Sequence, residues 1–179
     1  MSLAQKMKLQ DLKAKVEELN LPRRELLAKQ MNDAATAIQE ASLAYFTSKN
    51  FTISGQMPKV KATYNGGIET SIDFSDLKGN FFGNDGVVGF KYENKNFALE
   101  YQVARGSSPD RASTWGSPEE VMQKEIQFLE EQLVPYLQTT GTSDLSGVVT
   151  LFSREKNAKN GIGIKKYQSV EEALDSFID

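Results

Sequence analysis

The sequence has neither cysteine nor histidine. Without cysteine there are no disulfides, no thiolate nucleophile and no cysteine-based zinc or iron–sulfur site. Without histidine the usual general base near neutral pH is missing, and so is the commonest transition-metal ligand. Ser-His-Asp triads and HExxH metalloproteases go with it. No apolar run approaches the ~20 residues needed to cross a bilayer. The first twenty residues, MSLAQKMKLQDLKAKVEELN, hold no continuous apolar core and no cleavage site, so the expected location is cytoplasmic.

A chain of 179 residues is long enough to bury roughly 70% of its unfolded surface in one domain. The net charge of −3 conceals a segmented distribution: residues 1–30 carry +3, 31–153 carry −6, 154–166 carry +4 and 167–179 carry −4. Any attraction to polyanions must therefore come from a local patch, not from the overall field.

Leu9, Leu12, Val16 and Leu19 recur at helical spacing, and Pro22 then suits the first turn of a second helix better than the interior of the first. The expectation is a helical hairpin over residues 1–48, the second helix carrying Leu27, Met31, Ala34, Ile38, Ala41 and Tyr45. Residues 49–179 read as an α+β unit. KVKATYNGGIETSIDF alternates Val60, Ala62, Tyr64 with Ile68, Ile72, Phe74 about Asn65-Gly66-Gly67, a hairpin with a charged outer face of Lys59, Lys61, Glu69 and Asp73. A second hairpin follows through Val88, Phe90, Tyr92 and Phe97, Leu99, Tyr101, and Phe51 and Ile53 add an earlier strand. Ser117-Pro118-Glu119-Glu120 is a capping box opening a central helix with Met122, Ile126, Leu129, Leu133 and Leu137 on one side. Pro135 lies near its end, where a kink is expected. VVTLF and IGIKKY form a last strand pair, and Ser169 to Glu172 caps a short terminal helix. The fold expected is α+β: helical hairpin, antiparallel meander of about five strands, central helix, second β-hairpin, short C-terminal helix.

Four surfaces carry candidate chemistry. The stripe Leu9, Leu12, Val16, Leu27, Met31 and Ile38 is longer than its intramolecular partner helix, so it serves either the protein's own sheet or another chain. SREKNAKNGIGIKK, residues 153–166, places Arg154, Lys156, Lys159, Lys165 and Lys166 on a hairpin and would suit phosphates. Stacking aromatics stand only at its margins, and a solvated hairpin tip explains the same residues. The loop 104–120, with Arg105, Asp110, Arg111 and Trp115, is long enough to hold a ligand; packing of Trp115 back onto the helix start is the plainer alternative. The glycines of GNFFGNDGVVGF match no phosphate loop, and the candidate oxygen ligands Asp73, Asp76, Asn84 and Asp85 lack calcium-loop spacing. Glu69, Asp73, Glu93 and Glu100 are the strand acids from which a glycosidase-like pair would have to come. No cofactor, metal or catalytic residue is assigned. The leading expectation is a non-enzymatic interaction or adaptor module that self-associates, as a coiled coil, or grips a protein partner through its N-terminal helices. The alternative is a nucleic-acid-binding accessory protein using the basic hairpin.

Overall fold

The structure is a computed structural model and describes residues 2–79, 83–111, 114–157 and 161–178, with the side chains of residues 156, 157, 161 and 162 outside the description. The elements run α1 (Leu3–Ser48), β1 (Thr52–Gln56), β2 (Lys59–Tyr64), β3 (Ile68–Asp73), β4 (Gly86–Tyr92), β5 (Lys95–Val103), α2 (Pro118–Phe128), a π-helical turn (Leu129–Leu133), α3 (Val134–Thr140), β6 (Val149–Asn157), β7 (Gly161–Tyr167) and α4 (Val170–Ile178). The fold is α+β. Among the described residues no helix is long and apolar enough to cross a membrane.

The expected N-terminal hairpin is instead a single helix. α1 carries Pro22 in its interior. Proline removes one backbone donor, here the one that would reach the Glu18 carbonyl, at a cost of up to ~3 kcal/mol. Its fixed φ is nevertheless helical, and there is no glycine nearby to supply a turn. Apolar residues on both sides of Pro22 are buried along one helix face, Leu9 before it and Ala34, Ala35 and Ile38 after it. That burial offsets one lost hydrogen bond.

The chain divides into two compact units, Met1–Lys29 with Arg105–Gly147, and Gln30–Ala104 with Val148–Asp179. The second contains one sheet in the order β1-β2-β3-β4-β5-β6-β7. The sequence separates a meander of about five strands from a later pair; the register Glu100↔Phe152 to Val103↔Val149 joins them edge to edge, all antiparallel. Period-two alternation places Val60, Ile72, Val88, Phe90, Leu99 and Tyr101 on one buried face. The C-terminal half of α1 and α4 supply the opposing layer. Phe46, fully buried, lies 6.5 Å from Phe90 between ring centroids, and Phe177 stacks on Phe97 at 5.0 Å. Burying a phenylalanine of this kind contributes about 2–3 kcal/mol. The Tyr45 hydroxyl donates to Asp175 at 2.7 Å, tying α1 to α4.

Between β3 and β4 the backbone is drawn in by Tyr101, whose hydroxyl donates to the Leu77 carbonyl at 2.8 Å. A Cβ at Gly86 would collide with that carbonyl and with the tyrosine ring, so only glycine fits. Burial, with the Asp85 charge adding to it, pushes the Tyr101 phenol up to about 12. Asn65 and Gly66 both hold positive φ in the turn from β2 to β3.

In the first unit, α2 starts as its sequence predicts. The Ser117 side chain accepts from Glu120 N while Glu120 Oε2 accepts from Ser117 N at 2.7 Å. The register then departs from a straight helix. Val134 N–H donates to the Leu129 carbonyl, five residues back. Pro135 has no N–H for the Glu131 carbonyl and its ring crowds it, so the chain widens by one residue there. The buried line therefore reads Ile126, Leu129, Val134, Leu137, with Val134 in the place expected for Leu133.

Candidate functional site

The N-terminal stripe is used within the molecule. Leu9 is buried with Ile126 and Leu129, and Leu12, Val16, Met122, Phe128 and Leu133 pack around that cluster. Ile38 is buried in the other unit, and Leu27 and Met31 are half-buried. The stripe is thus covered by the chain's own elements along much of its length. Exposed pairs flank the seam of α1 with α2 and the π-helical turn: Lys13 with Glu125 at 3.0 Å and Lys8 with Glu130 at 2.7 Å.

The opposite side of α1 was not singled out from the sequence, and it carries apolar residues of its own. At 100° per residue, Leu3, Met7, Ala14, Leu21 and Ala28 fall within about 60° of one another, facing away from Leu9, Leu12 and Val16. Leu3 is 74%, Met7 59% and Leu21 51% exposed; both alanines are exposed as well. Met7, Ala14, Leu21 and Ala28 are each seven residues apart. The signal was present as a heptad period, masked because the stronger stripe on the other face has nearly the same spacing.

A half-buried ion pair closes the same unit. Arg23 grips Asp144 with both guanidinium nitrogens, at 2.6 and 2.9 Å, and the Tyr136 hydroxyl donates to the same carboxylate at 2.5 Å. Arg23 also donates to the Gly141 carbonyl at the end of α3, where a cation meets the negative end of the helix dipole. The Arg23 hydrogen bonds and charge, helped by Tyr136, hold the Asp144 carboxyl down at about 2. Gly106 passes so close to Asp144 that a Cβ there would overlap the carboxylate.

The loop residues Arg105, Asp110, Arg111 and Trp115 are all exposed. Trp115 is 85% exposed, so it does not fold back as a staple on α2. Its backbone carbonyl accepts from Lys124 Nζ at 2.8 Å.

On the sheet, the basic hairpin is divided by the strand period. Phe152↔Lys166 and Arg154↔Ile164 put Arg154 and Lys166 on the face away from the helices, whereas Ser153↔Lys165 puts Lys165 on the helix-covered face. Lys165 Nζ lies 3.2 Å from Ser176 Oγ and 5.3 Å from the Tyr167 ring centre. Arg154 Nε donates to Glu100 at 2.9 Å, and Glu100, although on the outer face, is buried and also accepts from Asn84 Nδ2 at 2.6 Å. Lys159 lies outside the described residues, as does the side chain of Lys156. Elsewhere on this face the expected cross-strand pairs form, Lys59 with Asp73 at 3.1 Å and Lys61 with Glu69 at 2.9 Å. Small residues paired across strands, Gly89↔Ala98, leave an open trough of about 540 Å³ bordered by Ser71, Asp73, Lys91, Asn96 and Arg154.

Asp85, considered from the sequence as an oxygen ligand, is buried and accepts from Val103 N at 2.8 Å. Among the described residues no three acids converge as a metal site. No protein-family description, curated protein or solved structure was found to match this chain.

Proposed function

We propose that the chain is a non-enzymatic interaction module that associates through the outward face of its N-terminal helix. The observation that carries this is the exposed line Leu3, Met7, Ala14 and Leu21 on a helix whose other face is already occupied. Large apolar side chains repeated along an exposed helix face are what a partner helix would cover. The stripe anticipated for this role, Leu9 to Ile38, supports the helix's attachment to its own protein instead. The nucleic-acid reading has weaker support. Arg154 is engaged by a buried carboxylate, and Lys59 and Lys61 are neutralised across the strands.

Sedimentation velocity over a wide range of concentration tests the reading. The wild-type chain is expected to show a concentration-dependent heavier species, and a Met7→Lys/Leu21→Lys variant with unchanged circular dichroism is expected to lose it. A wild-type chain that stays monomeric throughout, or a double variant that assembles as well as wild type, defeats the proposal.

A further inference from the structure

We infer that the partner of this α1 face is a second copy of the same chain, aligned in parallel. This rests on the association proposed above and adds the identity and direction of the partner.

With Met7, Ala14, Leu21 and Ala28 in one seam row, Leu3 and Gln10 fall in the other, the two rows of a heptad repeat. The residues flanking the seam differ in sign from side to side. Lys6 and Lys13 lie along one edge, Asp11, Glu18 and Glu25 along the other, and all are exposed. In a parallel pair, a residue on the first edge meets the residue five positions further along on the second edge of its neighbour. Lys6 of one copy then meets Asp11 of the other, and Lys13 meets Glu18. The two-fold axis makes each contact twice, giving four attractive pairs. In an antiparallel pair each edge meets itself, lysine against lysine and acid against acid. Charge therefore selects the parallel arrangement.

Most of these groups are available. Among the described residues Lys6, Asp11 and Glu18 have no ion pair. Lys13 pairs with Glu125 across an exposed edge, an interaction weak enough to be shared. Glu17 and Arg24 continue the row of Leu3 and Gln10 and hold each other at 2.6 Å, so the charge they bring into the seam is paired. Polar residues in that row fix the register at some expense of affinity, while the other row stays apolar through Leu21 and Ala28. Alanine at two of the four leading positions lets the helices approach closely while burying little, so the dimer is a weak one.

The absence of cysteine makes the test clean. In full-length protein, Met7→Cys is expected to cross-link to itself under mild oxidation. So is Leu21→Cys, and a mixture of the two is expected to yield no Met7-to-Leu21 cross-link. Charge reversal gives an independent readout by sedimentation. Lys6→Glu/Lys13→Glu alone and Asp11→Lys/Glu18→Lys alone are each expected to weaken association about tenfold, and mixing them in equal amounts is expected to restore it as a heterodimer. Circular dichroism checks that each variant remains folded. Dimers that link position 7 to position 21, or that ignore both charge reversals, overturn the parallel arrangement and leave self-association standing. A wild-type chain that never dimerises overturns both.

Discussion

Arg23 and Asp144 are 121 positions apart in the chain, and their contact shows how single residues close the helical unit. The Asp144 carboxyl sits at about 2, below the ordinary 3.8, so its contribution to stability is complete above about pH 4 and is lost as pH falls toward 2. With allowance for partial solvent screening, that contribution is about 1–2 kcal/mol. Asp144→Asn is therefore expected to lower urea stability by about that amount at pH 7. The difference from wild type should shrink to a small fraction near pH 2, while Asp73 and Asp175, whose carboxyls are also held low, keep both proteins acid-sensitive. A difference undiminished at pH 2 would mean the loss is one of packing. Gly106→Ala is expected to cost about 1–3 kcal/mol by forcing its new methyl into the carboxylate. Placed in an Asp144→Ala background, the same change should cost little, and a double-mutant cycle would reveal the coupling. Full additivity would show that the clash is relieved elsewhere. Neither residue stands out in the sequence, because an arginine in one helix and an aspartate in a distant turn give no local sign of meeting.

Both proline-bearing helices illustrate how local signals are weighed at the scale of elements. Pro22 and Pro135 each remove one backbone hydrogen bond, yet α1 continues as an α-helix and the later one passes into a π-helical turn. Pro22→Ala restores the donor for the Glu18 carbonyl and is expected to stabilise the protein by about 1–3 kcal/mol in chemical unfolding. A neutral or destabilising result would indicate that the proline's rigidity in the unfolded chain matters more. The β-hairpins were legible because each residue pattern was local: Lys59 and Asp73 alternate away from Val60 and Ile72, and Asn65-Gly66 supplies the left-handed turn. Pro22 suggests a helical hairpin because a proline is a local statistic, whereas its cost is set against burial on both sides of it. The buried Val134 was likewise invisible, since a strict 3.6-residue period selects Leu133.

Across the whole molecule, stability and reporter are separated. Trp115, the one tryptophan, is 85% exposed, so its native emission is expected to resemble that of the unfolded chain and to be quenched by acrylamide almost as readily. Circular dichroism and tryptophan fluorescence should thus disagree, with a large transition in the first and a small one in the second. A strongly blue-shifted native emission, or protection from quenching, would show that Trp115 is covered in solution, as association would also produce. The sequence by itself determined the α+β class, the antiparallel pairing of neighbouring strands, the capped start of α2 and the lack of histidine and cysteine chemistry. Each is fixed by composition or by residues within a few positions of one another. Only the tertiary structure decided that α1 is one helix, that seven strands form a single sheet, that the face carrying Lys165 is the one the helices cover, and that Leu9 is buried while Met7 is exposed. Those outcomes depend on which surfaces meet over long separations in the chain, and a periodic pattern marks a face as apolar without saying what will cover it.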